Sequence, residues 1–292
     1  MKQHRKAYPV AMMTSLLHVS VSQFYIWLKH GLSKSAIQRN QQTILVKIAH
    51  QETKESYGHI RLARHLQSQG VKISMYAVRC IKRLNQLYCK CHKRFKRTTN
   101  SDHNRSVYNN LLEQHFTRDR PNIAWVSDIT FIWTAEGWLY LAALKDLCTK
   151  QVVGYNLNER MTAQLVCNAL TMVIRNQKPP QGLIVHSDRG SQYSSRDFRA
   201  LLLTNNCIQS MSRRGNCWDN AVTESFFHTL KGHVVHGSLF ATRKELNAVL
   251  FDYIEIYYNR VRRHSANDWL SPEAFKQKYF KTLEGSVVHN TV

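Results

Sequence analysis

The sequence predicts an α/β protein in two parts, an all-helical first third and a mixed-sheet remainder. Three observations point there. Up to residue 88, apolar residues recur only at helical spacing. From Asn122 the pattern changes to three β-rich runs separated by turns. After these, helical and strand patterns alternate, which is the mark of a mixed α/β sheet.

Residues 8 to 30 read as two short helices around a turn. Met12, Met13, Leu16 and Leu17 form the first apolar stripe. Ser20 is the expected N-cap of the second helix, which Phe24, Tyr25 and Trp27 bury. This pair fits a DNA-reading helix-turn-helix and a small packing module equally well. Further on, Ile44, Leu45 and Ile48 form another stripe. Tyr57-Gly58 opens a helix that Gly70 closes, and Ser74 begins one carrying Val78, Ile81, Leu84 and Leu87. Arg64, Arg79, Lys82 and Arg83 are interspersed here and are expected to touch the DNA backbone; a solvated helix face is the plainer alternative. Residues 1–88 are therefore assigned as helical DNA-binding segments. Residues 89–120 are assigned as a linker, since their first half is basic, polar and nearly free of apolar residues.

The run from Ile123 to Trp133 alternates and is β-rich, with Asp128 inside it. Ala135-Glu136-Gly137 is a turn, residues 138–146 a second strand, and the run from Val152 a third. Then follow a helix from Thr162 to Arg175, a strand from Leu183 to Asp188, a helix from Ser195 to Asn205, a strand from Ile208 to Met211 and a helix from Asn220 to Val235. These make a catalytic-size unit over 121–236. Residues 237–292 hold a long helix, Lys244 to Arg263, and a basic tail in which Arg262 and Arg263 are candidate phosphate contacts.

Lysine and arginine exceed aspartate and glutamate by 41 to 19, a net charge of +22. That is the electrostatic footprint of a nucleic-acid binder. The hydrophobic fraction of 43% is ordinary for a globular chain with a proper core. Seven cysteines without a scaffold pattern suggest reduced thiols in a cytoplasm. No stretch approaches eighteen unbroken apolar residues, so no membrane span is expected.

The chemistry concentrates between His186 and Lys231. Asp188 ends a short apolar strand and precedes the turn Arg189-Gly190-Ser191. Glu224 lies on a helix whose apolar side is Val222, Phe226, Phe227 and Leu230, while Asn220, Glu224, His228 and Lys231 share another side. Asp128, Asp188 and Glu224 come from three separate elements. Magnesium and manganese prefer such oxygen ligands, and two ions about 3.5–4 Å apart can clamp the attacking and leaving oxygens of a phosphodiester. A lone acid in any of these places would read as a turn cap or a solvated charge. Asp128 in an apolar strand pattern does not, because a buried bare charge is costly without a partner. His186 is either a support for the acids or a satisfied core histidine. Asp146 reads as a turn cap, and Asp219 as a helix-start residue.

HSDRGSQY (186–193), GNCWDNAVTESFFHTLK (215–231) and YNRVRRHSANDWLSP (258–272) resemble the DDE transposases of bacterial insertion sequences, in the IS-three family related to retroviral integrases. Thirty-five residues lie between Asp188 and Glu224, as in that family's signature. The resemblance runs from Tyr8 to about Pro272. It implies a ribonuclease-H-like core, with Asp128, Asp188 and Glu224 as catalytic metal ligands for two Mg²⁺ or Mn²⁺ ions and Lys231 as a basic residue at the DNA. It implies strand cleavage followed by attack of a freed 3′-hydroxyl on a second phosphodiester. The implied partners are double-stranded DNA (terminal inverted repeats and target), further copies of the chain, and an upstream reading frame supplying another helix-turn-helix and a leucine zipper. Cytoplasmic, nucleoid-associated work follows. A DNA-binding protein without catalysis and a nuclease without strand transfer are the competing classes.

Overall fold

The computed structural model describes residues 1–89, 108–213, 217–235 and 238–288, the side chains of 217, 218 and 285–288 excepted. The chain divides into two compact units, Met1–Tyr88 and Cys89–Val292. Most of the expected linker, residues 90–107, lies outside the described residues.

The first unit is helical. Helices α1 (Val10–Leu16) and α2 (Val21–His30) form a short pair, and the Ser20 side chain caps α2 as expected. Burial falls short of expectation. Phe24 is buried, but Tyr25 and Trp27 are exposed, as are Met12, Leu16 and Leu17. Helices of seven and ten residues offer each other only one side, so most of their apolar residues find no cover within the pair. Helices α3 (Lys34–Glu52), α4 (His59–Ser68) and α5 (Met75–Leu84) make a real core from Val46, Ala49, Tyr57, Leu62, Leu66, Ile73, Val78 and Ile81. Ser74 caps α5 through its hydroxyl.

The second unit is built on a five-stranded sheet in the order β3-β2-β1-β4-β5. Strands β1 (Ala124–Thr134), β2 (Gly137–Asp146) and β3 (Val152–Asn158) form an antiparallel meander. Strands β4 (Ile184–Ser187) and β5 (Ile208–Met211) run parallel to β1. That order and those directions are the ones a ribonuclease-H-like core requires. Helices α6 (Ala163–Gln177) and α7 (Arg196–Thr204) cover one face, over Trp125, Ala142, Leu144, Val153 and Val185. Gly154 is where α6 comes closest: a Cβ there would lie 2.7 Å from that of Val173.

The other face, with Ile132, Leu139, Leu141 and Ala143, is covered by α8 (Ala221–Val234), α9 (Arg243–Phe251) and a π-helical continuation, Asp252–Val261. So the long C-terminal helix is one continuous element that widens at Asp252, and it shares a core with the sheet. The widened segment presents Asn259 to the edge of β3. Its Oδ1 accepts from the Val152 N–H and its Nδ2 donates to the Val152 carbonyl, each at 3.0 Å. Helix α10 (Pro272–Val288) closes the unit. Residues 108–120, expected as linker, lie against the sheet instead: Leu112 is buried beside Ala124, Val126 and Leu147. Among the described residues no helix is long and apolar enough to cross a membrane.

Candidate active site

Two aspartates meet because of strand register. Strand β1 pairs with β4 through Ala124–Ile184, Trp125–Val185 and Val126–His186. Asp128 lies two residues further along β1, and Asp188 lies just past the end of β4, which brings the two acids close enough to act on each other. Asp128 Oδ1 accepts from the Ile129 N–H at 2.8 Å, and Asp188 Oδ1 from the Gly190 N–H at 2.9 Å. A Cβ on residue 190 would stand 2.9 Å from Asp188 Oδ1, so a larger residue there would have to displace that carboxylate. Both acids line a pocket of about 450 Å³ with Ile129, Phe131, Trp138, Tyr140, Met161, Gln192 and Tyr193.

Electrostatics bring in the other two residues. Burial raises the Asp128 pKa well above the carboxylate range; Asp188 pushes it further, as does Glu224, while Lys231 opposes. Glu224 is exposed in the first turn of α8. Lys231, two turns along, is half-buried, with its Nζ 5.0 Å from the centre of the Phe131 ring. Burial lowers its pKa and Asp128 acts against that. Tyr193 is buried under the acids; its hydroxyl lies 2.8 Å from Ser127 Oγ. Burial raises its pKa well above the ordinary value, with Asp128 and Asp188 adding. Neither Tyr193 nor the aromatic wall was singled out from the sequence. The signal was an apolar period that ignores the two-sided pattern between Phe131 and Tyr140.

Among the described residues, no three of His, Cys, Asp and Glu stand ready as a metal-ligating group, so Glu224 does not close a cluster with the aspartates. The donor set still fits a hard divalent cation. It offers carboxylate oxygens only, and it crowds like charges that a cation relieves.

The supporting residues have structural duties. His186 is fully buried, with Nδ1 2.8 Å from Ser210 Oγ and Nε2 3.1 Å from the Asp219 carbonyl, and burial pulls its pKa down to about 4. It is a satisfied core histidine. Asp146 caps its turn through Cys148, Thr149 and Asn122. Asp219 does not cap α8. It accepts from Arg213 Nε at 3.1 Å and Nη2 at 3.0 Å, and from Gln114 Nε2 at 3.2 Å, which holds its carboxyl far below the usual range.

Of the expected DNA-contacting residues, Arg64, Arg79 and Arg83 are exposed on α4 and α5. Two expectations need correction. Lys82 is buried, with Nζ 3.0 Å from the Tyr57 carbonyl and 3.2 Å from His50 Nδ1. Arg262 is buried and its guanidinium lies 3.4 Å from His233 Nε2. In both, a long aliphatic stem lets a cation fold inward onto groups distant in sequence. Arg263 donates to the Trp269 carbonyl at 2.9 Å and so braces the tail loop.

Comparison with known proteins adds the lineage. A family described as "Integrase core domain" matches residues 118–217, and a second of the same description matches 224–280. The chain is 43% identical over 267 residues to the "Insertion element IS600 uncharacterized 31 kDa protein" of Shigella sonnei, covering 91% of this chain and 98% of that one. It is 40% identical over 279 residues to "Transposase InsF for insertion sequence IS3A" of Escherichia coli (strain K12), covering 95% and 97%. Among solved structures, it is similar to the simian T-cell lymphotropic virus intasome in complex with PP2A regulatory subunit B56 gamma. That match has a TM-score of 0.47 at 15% identity, over 80% of this chain and 74% of that one.

Proposed function

The chain belongs to the IS-three family of insertion-sequence transposases, with an integrase-type catalytic core, and on that premise we propose that Asp128, Asp188 and Glu224 are its catalytic metal ligands. The substrate is double-stranded DNA at the element's inverted repeats and then at the target. The observation that carries this reading is that Asp128 and Asp188 line one pocket, with Glu224 and Lys231 both acting on Asp128.

When bound, one or two Mg²⁺ or Mn²⁺ ions would polarise the phosphodiester and make water a nucleophile at neutral pH. The chain's own residues do the rest. The Gly190 and Ile129 amides fix the two carboxylates in place. Lys231 holds a phosphate oxygen as a point charge. The first cleavage frees a 3′-hydroxyl, and that hydroxyl attacks a second phosphodiester without a covalent protein intermediate. Glu224 on its exposed helix turn is the ligand that joins when the ion and DNA arrive. Arg64, Arg79 and Arg83 contact the DNA backbone. Further copies of the chain, and an upstream-frame partner, complete the assembly in the cytoplasm.

The test is a cleavage and strand-transfer assay on the element's inverted-repeat ends with a plasmid target, with and without Mg²⁺. Metal-dependent nicking at the ends and joined product are expected. Nicking without joined product would convert the reading to a nuclease, and binding without nicking to a DNA-binding protein.

A further inference from the structure

The pairing of β4 with β1 ends at Val126. Beyond it, β1 keeps β2 as its one strand partner among the described residues. The helical cover is short as well. Helix α6 packs over Ala142 and Leu144 but begins only at Ala163. The far end of the β1–β2 hairpin therefore presents a sheet of aromatic rings: Phe131 opposite Tyr140 and Trp133 opposite Trp138. The Trp133 and Trp138 ring centroids are 4.8 Å apart, and Phe131 meets Trp138 edge-on at 5.0 Å. Trp133 is 57% exposed and Trp138 43%. Exposed clustered aromatics of this size mark binding surfaces. Phe131, Trp138 and Tyr140, with Met161, form a wall of the pocket that Asp128 and Asp188 also line.

We propose that this wall is a binding site for one unpaired nucleobase of the strand being cut, with Trp138 as its stacking partner. The proposal rests on the reading of the pocket as a DNA-cleaving site and adds a step to it: a base beside the scissile phosphate leaves the duplex and enters the pocket. A volume of about 450 Å³ is enough to take a base with its sugar. Aromatic faces suit any base, because every base has a π-face. Gln192 is oriented by donating to the Met161 carbonyl at 3.1 Å, which leaves its carbonyl oxygen for a base edge. A nucleotide brings together a planar ring for the aromatic wall and a phosphodiester for the neighbouring carboxylates.

The experiment uses the full chain with Mg²⁺ and element-end duplexes. One duplex is fully paired. The others each carry a single abasic position within about three nucleotides of the cleaved bond. An abasic position needs no extrusion, so it bypasses a stacking partner. Trp138→Ala is expected to cut the paired end about tenfold more slowly than the parent, and Trp138→Phe within about threefold of it. One abasic position should return Trp138→Ala to within about threefold of the parent. Trp138→Leu, which keeps bulk without a ring, replaces Trp138→Ala if the latter does not fold, with the same expectation. Equal slowing on every substrate would make Trp138 structural and overturn the proposal, as would parent-like cutting of the paired end. A parent that cuts nothing overturns the cleavage reading itself, and this inference with it. That failure is recognisable because the parent, and not only its variants, is silent.

Discussion

Asp128 and Asp188 each stand two residues beyond the registered pair Val126–His186 of β1 and β4, and they line one pocket. The fold holds two acids side by side, one of them with its pKa raised by burial and by the other. Asp128→Asn keeps the shape and removes the repulsion. Without metal, this variant should melt above the parent at neutral pH, by roughly 2–4 °C per kcal/mol of relieved repulsion. Mg²⁺ should raise the melting temperature of the parent and not of the variant, and cleavage should fall below a few per cent. Thermal unfolding with and without Mg²⁺ checks this. A variant that melts below the parent would show that the repulsion has been misjudged.

Lys231 faces Phe131 and acts on Asp128. Lys231→Ala should weaken cleavage and lower the slope of log K against log salt for end binding by about one unit. Lys231→Arg should keep much of the activity. If Lys231→Ala cleaves like the parent at low and high salt, the lysine has no phosphate to hold.

The cations of α4 and α5 divide by burial. Replacing Arg64, Arg79 and Arg83 together by alanine should lower the salt slope by about three units and leave stability within about 1 kcal/mol. Lys82→Met should leave the slope unchanged, because its ammonium is engaged with Tyr57 and His50. Salt titrations by fluorescence anisotropy distinguish them. A slope lowered by Lys82→Met would place that lysine at the DNA after all.

Lys145 on β2 is buried between the Tyr258 and Phe226 rings, at 5.6 and 5.9 Å. Burial lowers its pKa from 10.5 to about 7, with Lys150 and Arg262 adding. Between these two values the unfolded chain binds a proton that the folded chain does not, so the group makes stability rise with pH across that window. Below about pH 7 both states are protonated and the full cost of the buried charge is present. Lys145→Met should therefore stabilise the protein most at or below pH 7, with the gain fading towards pH 10.5. Urea unfolding between about pH 6 and 10 measures it. A gain that stays constant across the range would assign the effect to packing alone.

A chain ended before Gly237 should lose the fold of the second unit. Leu246, Leu250, Tyr253, Ile254 and Tyr257 share one core with Ile132, Leu141 and Phe226. Large-to-small changes in such cores cost about 2–5 kcal/mol each, so removing the whole set exceeds the stability of an ordinary domain. Circular dichroism and proteolysis of residues 108–236 would test it, and a cooperative melt would refute it.

Much of the fold was legible in local pattern. The β1–β2 hairpin shows in alternation around Ala135-Glu136-Gly137, and Ser20, Ser74 and Ser195 cap the helices they precede. Asp128 and Asp188, which line one pocket, were picked out in the sequence as candidates. What escaped was settled by distant partners. Lys82 falls four residues after Val78 and directly after Ile81, a position next to the core side of α5, yet only His50 and Tyr57 decide that its head turns inward. Asp219 sits where a helix cap would, and Arg213 and Gln114 claim it. The aromatic wall needed knowledge of where β4 stops and α6 starts. No window of sequence contains both.

The amide of Asn259 completes the hydrogen bonding of Val152, a residue made 107 positions earlier. On the ribosome, the edge of β3 therefore emerges long before the group that satisfies it. A nascent chain that has reached α8 already carries Asp128, Asp188, Glu224 and Lys231, but not the helix that seals the sheet's second face. Since domains fold as units during synthesis, the sheet that carries Asp128 is expected to mature late, after Asn259 has cleared the exit tunnel. Translation products that stop short of Asn259 would hold all four of these residues on a sheet whose second face is still open.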